Sequence, residues 1–188
     1  MSFEDEKRSF LSKEDKSVKG SIDGHIRQLC DLINSKPDFY TTSSCSGRIV
    51  LIKLPHSGRK NEAEWIFVSH DEAGVYNLKN ELSSPPEESV WFRFEPFILH
   101  VAAKRIDDAK RLLDTAQSLG IKRSGIIALG NKIVVEIIGT ERIDCPVARG
   151  SRMLVSDDYL ALLVENANTK IRKNWDDIKN MIGALEKL

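Results

Sequence analysis

An α+β fold is predicted for this chain, built from duplicated αββ units. Its sheets are expected to be mixed or antiparallel and packed against helices, with a long helix at the C-terminus. Three observations predict it. Two amphipathic helical stripes are each followed by a pair of strand-like runs. The end of the chain carries one sustained helical stripe. No G-x-G-x-x-G stretch follows a strand, and no Walker-type loop is present, so neither a Rossmann fold nor a P-loop site is expected.

The elements follow in order. Residues 1–19 are polar, charged and without a clear period, and read as a loosely held arm or frayed helix. Ser21 is the predicted N-cap of the first clear helix, with Asp23 in its first turn. Ile22, Ile26, Leu29 and Ile33 form its apolar stripe, and Pro37 ends it. Phe39–Thr42 is aromatic and β-branched and reads as a strand, interrupted by the small polar residues 43–48. Ile49–Leu54 and Trp65–Val68 are further strands, separated by a turn over His56–Asn61.

Asp71–Leu82 reads as a short helix, and 83–86 as a loop. Val90–Ala102 alternates as one long strand, with Pro96 at an edge or bulge. Ile106–Leu119 is a second clear helix: Ile106, Ala109, Leu112, Leu113 and Ala116 share a face, and Gly120 is the C-cap. Ser124–Leu129 and Lys132–Ile138 read as a hairpin through Gly130-Asn131. Cys145–Ala148 and Met153–Val155 are short strands. Ser156 caps a final helix over 157–185, whose stripe includes Leu160, Leu163, Val164, Ala167, Ile171, Trp175, Ile178 and Ile182.

The duplication is visible as an echo. A shift of 83 residues sets Ile26, Leu29 and Gly47 on Ala109, Leu112 and Gly130. A pseudo-repeat over 22–70 and 105–150 is therefore expected inside a single domain spanning 1–188.

Composition excludes several classes. Hydrophobic residues make up 41%, which argues against wholesale disorder. The longest apolar runs are about as long as Leu160–Val164, far short of a membrane span. The charged start lacks the apolar core of a secretory signal. Cys30, Cys45 and Cys145 have no C-x-x-C spacing, and three is an odd number for a disulfide scaffold. No metal-ligand set is recognisable, and a reduced, cytoplasmic protein is expected. The net charge is zero, but residues 89–155 sum to +4 between flanks of −3 and −1. A basic middle admits a nucleic-acid partner; solvated faces explain it equally well.

Two stretches carry unusual chemistry. Thr41-Thr42-Ser43-Ser44-Cys45-Ser46-Gly47-Arg48 places hydroxyls, a thiol, a glycine and an arginine between two strands. Hydroxyls and turn amides can wrap carboxylate or phosphate oxygens, and Arg48 can grip them bidentately. The plainer alternative is a polar turn with satisfied hydroxyls, in which Cys45 is a small buried residue. The second stretch is 91–101, where Arg93, Glu95 and His100 interrupt an apolar strand. Glu95 or His100 is a candidate general base. A structural ion pair of Arg93 with Glu95 or another carboxylate, and a core-satisfied His100, are the alternatives. His70 closes a strand as a further candidate base or an ordinary loop residue. Trp65 and Trp91 read as core. Arg123, Ser124 and Gly125 form a possible second anion-binding turn.

Six strings then become recognisable in order: DKSVKGSID (15–23), FYTTSSCSGRI (39–49), WIFVSH (65–70), FRFEPFILHV (92–101), RSGI (123–126) and MLVSDDYLALLVENANTK (153–170). Together they resemble the tRNA wybutosine-synthesizing protein family that performs the third step of that pathway, in its shorter archaeal form. The resemblance implies S-adenosylmethionine-dependent methylation of ring nitrogen 4 of a 4-demethylwyosine-type base beside the anticodon of phenylalanine tRNA. It thereby implies S-adenosylmethionine as cofactor and the tRNA anticodon arm as partner. Ser43, Ser44, Cys45, Ser46, Gly47 and Arg48 are then expected to bind the donor or the substrate's carboxylate arm. Glu95, His70 and His100 are the candidate catalytic residues. Arg93, Arg123, Ser124, Gly125, Arg142 and Arg149 are the candidate RNA contacts. A non-catalytic RNA-binding module and a small-molecule enzyme acting at the SSCSGR turn are the competing readings.

Overall fold

In the computed structural model, residues 2–12, 22–55, 59 and 62–187 are described. The helices are α1 (Phe3–Leu11), α2 (Gly24–Ser35), α3 (Val75–Glu81), α4 (Ile106–Ser118) and α5 (Asp157–Leu185). The strands are β1 (Phe39–Cys45), β2 (Arg48–Leu54), β3 (Glu64–Ser69), β4 (Ser89–Glu95), β5 (Ile98–Ala103), β6 (Gly125–Leu129), β7 (Ile133–Ile138), β8 (Ile143–Arg149) and β9 (Arg152–Met153). The chain divides into two compact units. The first comprises Met1–Ser46, Phe97–Thr140 and Asn174–Leu188; the second comprises Gly47–Pro96 and Glu141–Lys173.

The first unit holds a four-stranded sheet in the order β1-β5-β7-β6, with every pairing antiparallel. Its core gathers Ile26, Leu29 and Ile33 of α2, Leu112 and Ala116 of α4, Leu99 and Val101 of β5, and Val135 and Ile137 of β7. The helical stripes read from sequence are therefore the buried faces, except that Ile106, at the first position of α4, is 47% exposed. Asp23, rather than Ser21, occupies the N-cap position of α2; Ser21 lies outside the described residues. Of the two readings for the N-terminal segment, residues 3–11 take the helical one, as a helix capped by Ser2. It places Phe3 and Phe10 against the buried Tyr40 ring, and Lys104 pairs with Glu4 at 2.6 Å.

Helix α4 ends as its glycine predicts. Leu119 is the C-cap, and Gly120 follows at φ +86°. The Gly120 N–H donates to Gln117 O and the Ile121 N–H to Ala116 O, the paired bonds of a Schellman motif. In the first turn Asp108 is wholly buried. Its carboxylate accepts from Arg105 Nε and Nη2 (3.1 and 3.2 Å) and from Arg111 Nη2 (2.8 Å). The Arg105 guanidinium holds the Asp108 carboxyl below its ordinary value; burial opposes this and Arg111 adds to it.

The second unit holds a five-stranded sheet, β3-β2-β4-β8-β9, again wholly antiparallel. Ile49, Val50 and Leu51 of β2, Phe92 and Phe94 of β4, and Leu160, Val164, Ala167 and Ile171 of α5 are buried. The Tyr159 N–H donates to Ser156 Oγ at 3.2 Å, the expected cap of α5. No helix among the described residues is long and apolar enough to cross a membrane.

Several local expectations change. The long strand over 90–102 is two strands in different sheets, because Pro96 has no N–H to continue a ladder. The buried side chains shift register there, from Phe92 and Phe94 to Phe97 and Leu99. Strand β1 runs on through Ser43, Ser44 and Cys45, which face His100, Leu99 and Ile98 after an irregularity between Thr41 and Ser43. The β6–β7 loop spans three residues, since Leu129 faces Ile133. The two echoing stretches pair differently: β6 and β7 form a hairpin, whereas β1 and β2 lie in separate sheets. The predicted turn at 56–61 falls largely outside the described residues.

Two stability outcomes follow. Gly120→Ala should lower unfolding stability by about 1–2 kcal/mol, the cost of a left-handed conformation with a Cβ. An equal or higher urea midpoint would contradict that account. Asp108→Asn should cost about 1–3 kcal/mol by leaving arginine donors poorly matched. Because the folded carboxyl titrates below its unfolded value, its contribution is complete above about pH 4 and is lost as pH falls through the folded value. The wild-type advantage over Asp108→Asn in denaturation curves should therefore shrink below about pH 4.

Candidate active site

Strand β1 delivers the hydroxyl-rich run to the end of the first unit. Ser43 is exposed, while Ser44 and Cys45 are half-buried. Ser46 is fully buried and wholly committed to structure. Its N–H donates to Asp23 Oδ2 at 3.0 Å, its Oγ lies 3.4 Å from the same oxygen, and its carbonyl accepts from Asn174 Nδ2 at 3.3 Å. Ser46 therefore fastens the turn rather than presenting a hydroxyl. Cys30, on α2, is buried, and that burial pushes its thiol up to about 11, with Ser44 pulling partly the other way. It is inert as a nucleophile at neutral pH.

In the same unit the His100 ring faces Glu136 across the β5–β7 ladder, with Nε2 2.9 Å from Oε2. The His100 carbonyl accepts from Thr42 Oγ1 at 3.3 Å. Ser124 is buried; its Oγ accepts from the Ile138 N–H at 3.4 Å and its carbonyl from Gln117 Nε2 at 3.4 Å. The anion-binding turn expected at Arg123-Ser124-Gly125 thus has its serine turned to internal bonding. Arg123 is exposed, and Gly125 opens β6.

The second unit begins with Gly47, at φ +90°, a conformation that favours glycine. His70 Nδ1 lies 2.9 Å from the Gly47 carbonyl. A carbonyl only accepts, so Nδ1 carries the proton and Nε2 is the basic nitrogen of the neutral ring. Arg48 stands directly opposite Glu95 on β2 and β4, and its Nε donates to Glu95 Oε2 at 2.6 Å. The Arg48 guanidinium carbon also sits 3.9 Å from the centroid of Trp65. The bond, the ring and the ladder fix the head-group plane. Arg48 and Glu95 keep 29% and 34% of their side-chain exposure, so the pair is reachable from solvent.

Trp65 corrects its core assignment: it is 42% exposed on β3, an edge strand, where only one neighbour covers the side chains. Arg93 is tied to Asp144 at 2.8 Å rather than to Glu95. Arg142 and Arg149 are exposed. Sequence reasoning missed Asp23, Asn174, Trp65 and Glu136 as partners of site residues. For Asp23 a signal existed, since an Asp at a helix start is free to bond elsewhere when it does not cap. The other three depend on strand pairing or on a distant helix, which local spacing does not report.

Comparison with known proteins supplies the family. The family described as Methyltransferase TYW3 matches residues 5–187. A Pyrococcus furiosus protein named tRNA(Phe) 7-((3-amino-3-carboxypropyl)-4-demethylwyosine(37)-N(4))-methyltransferase 1 is 37% identical over 183 residues, covering 97% of this chain and 93% of its own. An Archaeoglobus fulgidus protein with the same name, lacking the final numeral, is 40% identical over 167 residues, covering 89% and 84%. A solved structure of a Pyrococcus horikoshii protein superposes with a TM-score of 0.89 at 35% identity, covering 97% of this chain and 95% of that one. Agreement over nearly the whole length, in sequence and in fold, makes this chain a member of the TYW3 methyltransferase family.

Proposed function

We propose that this protein methylates ring nitrogen 4 of a 4-demethylwyosine-type base next to the anticodon of phenylalanine tRNA, with S-adenosylmethionine as donor. The observation that carries the reading is the full-length likeness to archaeal relatives named for that reaction. With a tRNA substrate, the enzyme is assigned to the cytoplasm. The target base has to leave its stack to be reached.

When bound, the donor supplies a methyl carbon on a sulfonium, alongside a carboxylate and an ammonium. The chain has groups of matching chemistry. Arg48, oriented through Nε by Glu95, offers its Nη nitrogens to carboxylate oxygens of the donor or of the substrate's side arm. In the first unit, Ser43 and Ser44 carry hydroxyls that can also bond carboxylate oxygens, with Cys45 next in sequence. Ser46 and Gly47 shape the turn. Glu95 thus acts first as a positioning residue, and its second oxygen can meet an ammonium.

Nitrogen–carbon bond formation releases the thioether and leaves one proton to be removed from the nitrogen. His70 is assigned that proton, at Nε2, because Gly47 fixes its tautomer. His100 is committed to Glu136 and is assigned to fastening β5 to β7. Alignment of donor and acceptor supplies the rest of the rate. Arg123 of the first unit and Arg142 and Arg149 of the second are assigned to RNA phosphates, as is Arg93, which Asp144 holds in place.

Calorimetry with S-adenosylmethionine, with and without a demethylwyosine-bearing anticodon stem-loop, tests the reading. Saturable donor binding followed by methyl transfer is expected. Arg48→Ala should weaken binding of donor or RNA about tenfold or more, as loss of a charge-assisted pair does. His70→Gln should keep binding and lower kcat by about 10²–10⁴. Tight RNA binding with no donor affinity would overturn the enzyme reading, and unchanged turnover in both variants would overturn the site.

A further inference from the structure

At five register positions of the two sheets, ionisable side chains stand directly opposite each other among the described residues. Four match a base with an acid: Lys53 with Glu64, Arg48 with Glu95, Arg93 with Asp144 and His100 with Glu136, at 2.5, 2.6, 2.8 and 2.9 Å. The fifth sets Arg149 opposite Arg152. Like charges facing each other destabilise a ladder. Both arginines are exposed, and neither makes an ion pair with any described residue.

The turn between them is also costly. Gly150 and Ser151 have φ of 61° and 55°, and Ser151 is the one non-glycine residue at positive φ among the described residues. Two central residues at positive φ are what a type I′ hairpin needs, and a serine there is strained. The tip is nonetheless pinned: Gly150 N–H donates to Glu87 O at 2.8 Å and Ser151 N–H to Pro86 O at 3.0 Å. The rest of the sheet spends its facing charges on neutral pairs. This hairpin holds two uncompensated cations side by side on an anchored, strained tip.

We propose that the Arg149–Arg152 hairpin is a phosphate clamp for the ribose–phosphate backbone of the tRNA, an inference that rests on the tRNA reading above. Cross-strand Cβ atoms about 5 Å apart let two guanidinium groups converge on the oxygens of one phosphate or of two adjacent ones. The anion then relieves the repulsion between the two arginines. Guanidinium groups suit this better than ammonium groups, since each binds two oxygens in a fixed plane.

The test measures affinity of the full chain for phenylalanine tRNA across a salt series, with S-adenosylmethionine binding followed in parallel. Arg149→Gln with Arg152→Gln should weaken tRNA binding about tenfold and reduce the salt slope by about 0.7–0.9 for each phosphate no longer neutralised. Donor binding should be unchanged. The double lysine variant should recover most of the slope. Ser151→Gly keeps both arginines and relieves the strained φ, so its slope should equal the wild type and its Tm should not fall. Wild-type affinity and slope in the glutamine pair would overturn the clamp while leaving the methyltransferase reading intact. An equal loss in Ser151→Gly would assign the effect to the hairpin's fold and also overturn it. A wild-type protein that binds no tRNA would overturn both.

Discussion

One buried carboxylate sets the geometry of the candidate donor turn. Asp23 is 7% exposed and accepts the Ser46 N–H, with the Ser46 hydroxyl close by. A buried charge is tolerated only where hydrogen bonds replace its water. Asp23 stands at the N-cap position of its own helix but makes no side-chain cap bond there. The start of α2 and the end of β1 become one fastened corner, completed by Asn174 on the Ser46 carbonyl. Backbone and side chain of Ser46 are consumed in this way. Hydroxyl chemistry in the run is left to Ser43 and Ser44.

The remaining polar groups are placed by ladder register rather than by helix ends or loops. Arg48 and Glu95 face each other because β2 and β4 pair over seven positions, Arg48 through Leu54. A pair that is about one-third exposed adds little to stability. Its value is geometric, since it holds the Arg48 plane against Trp65. The same register logic pairs His100 with Glu136 and Arg93 with Asp144. It is what makes the facing arginines at 149 and 152 stand out.

Legibility in the sequence follows locality. The α2 and α4 stripes, the Gly120 stop and the Ser156 cap are short-range features, and each appears where its spacing predicts. Strand ends are not short-range. Ser43–Cys45 read as an interruption, yet they pair because β5 lies beside them. Pro96 is visible as a difficulty within a strand, but only the two sheets reveal that it separates them. Trp65 reads as core because tryptophan is usually well covered; its exposure follows from β3 lying at a sheet edge. Of the candidate site, residue types are legible and partnerships are not. Arg48 and Glu95 both stand out by type, 47 residues apart, without any local signal joining them.

The wholly antiparallel sheets also constrain how a methyl donor can be held. A Rossmann site binds its ligand at the C-terminal ends of parallel strands, against a glycine-rich turn and a helix N-terminus. Neither sheet here has a parallel pair among the described residues. Anion recognition must then come from side chains and from turn amides. The amide at Ser46 is already spent on Asp23. Arg48, with an acid to orient it and an aromatic ring to lie against, suits the anion-binding role proposed above. Arg149 and Arg152, which have neither among the described residues, suit the second anion of the proposal above, the RNA backbone.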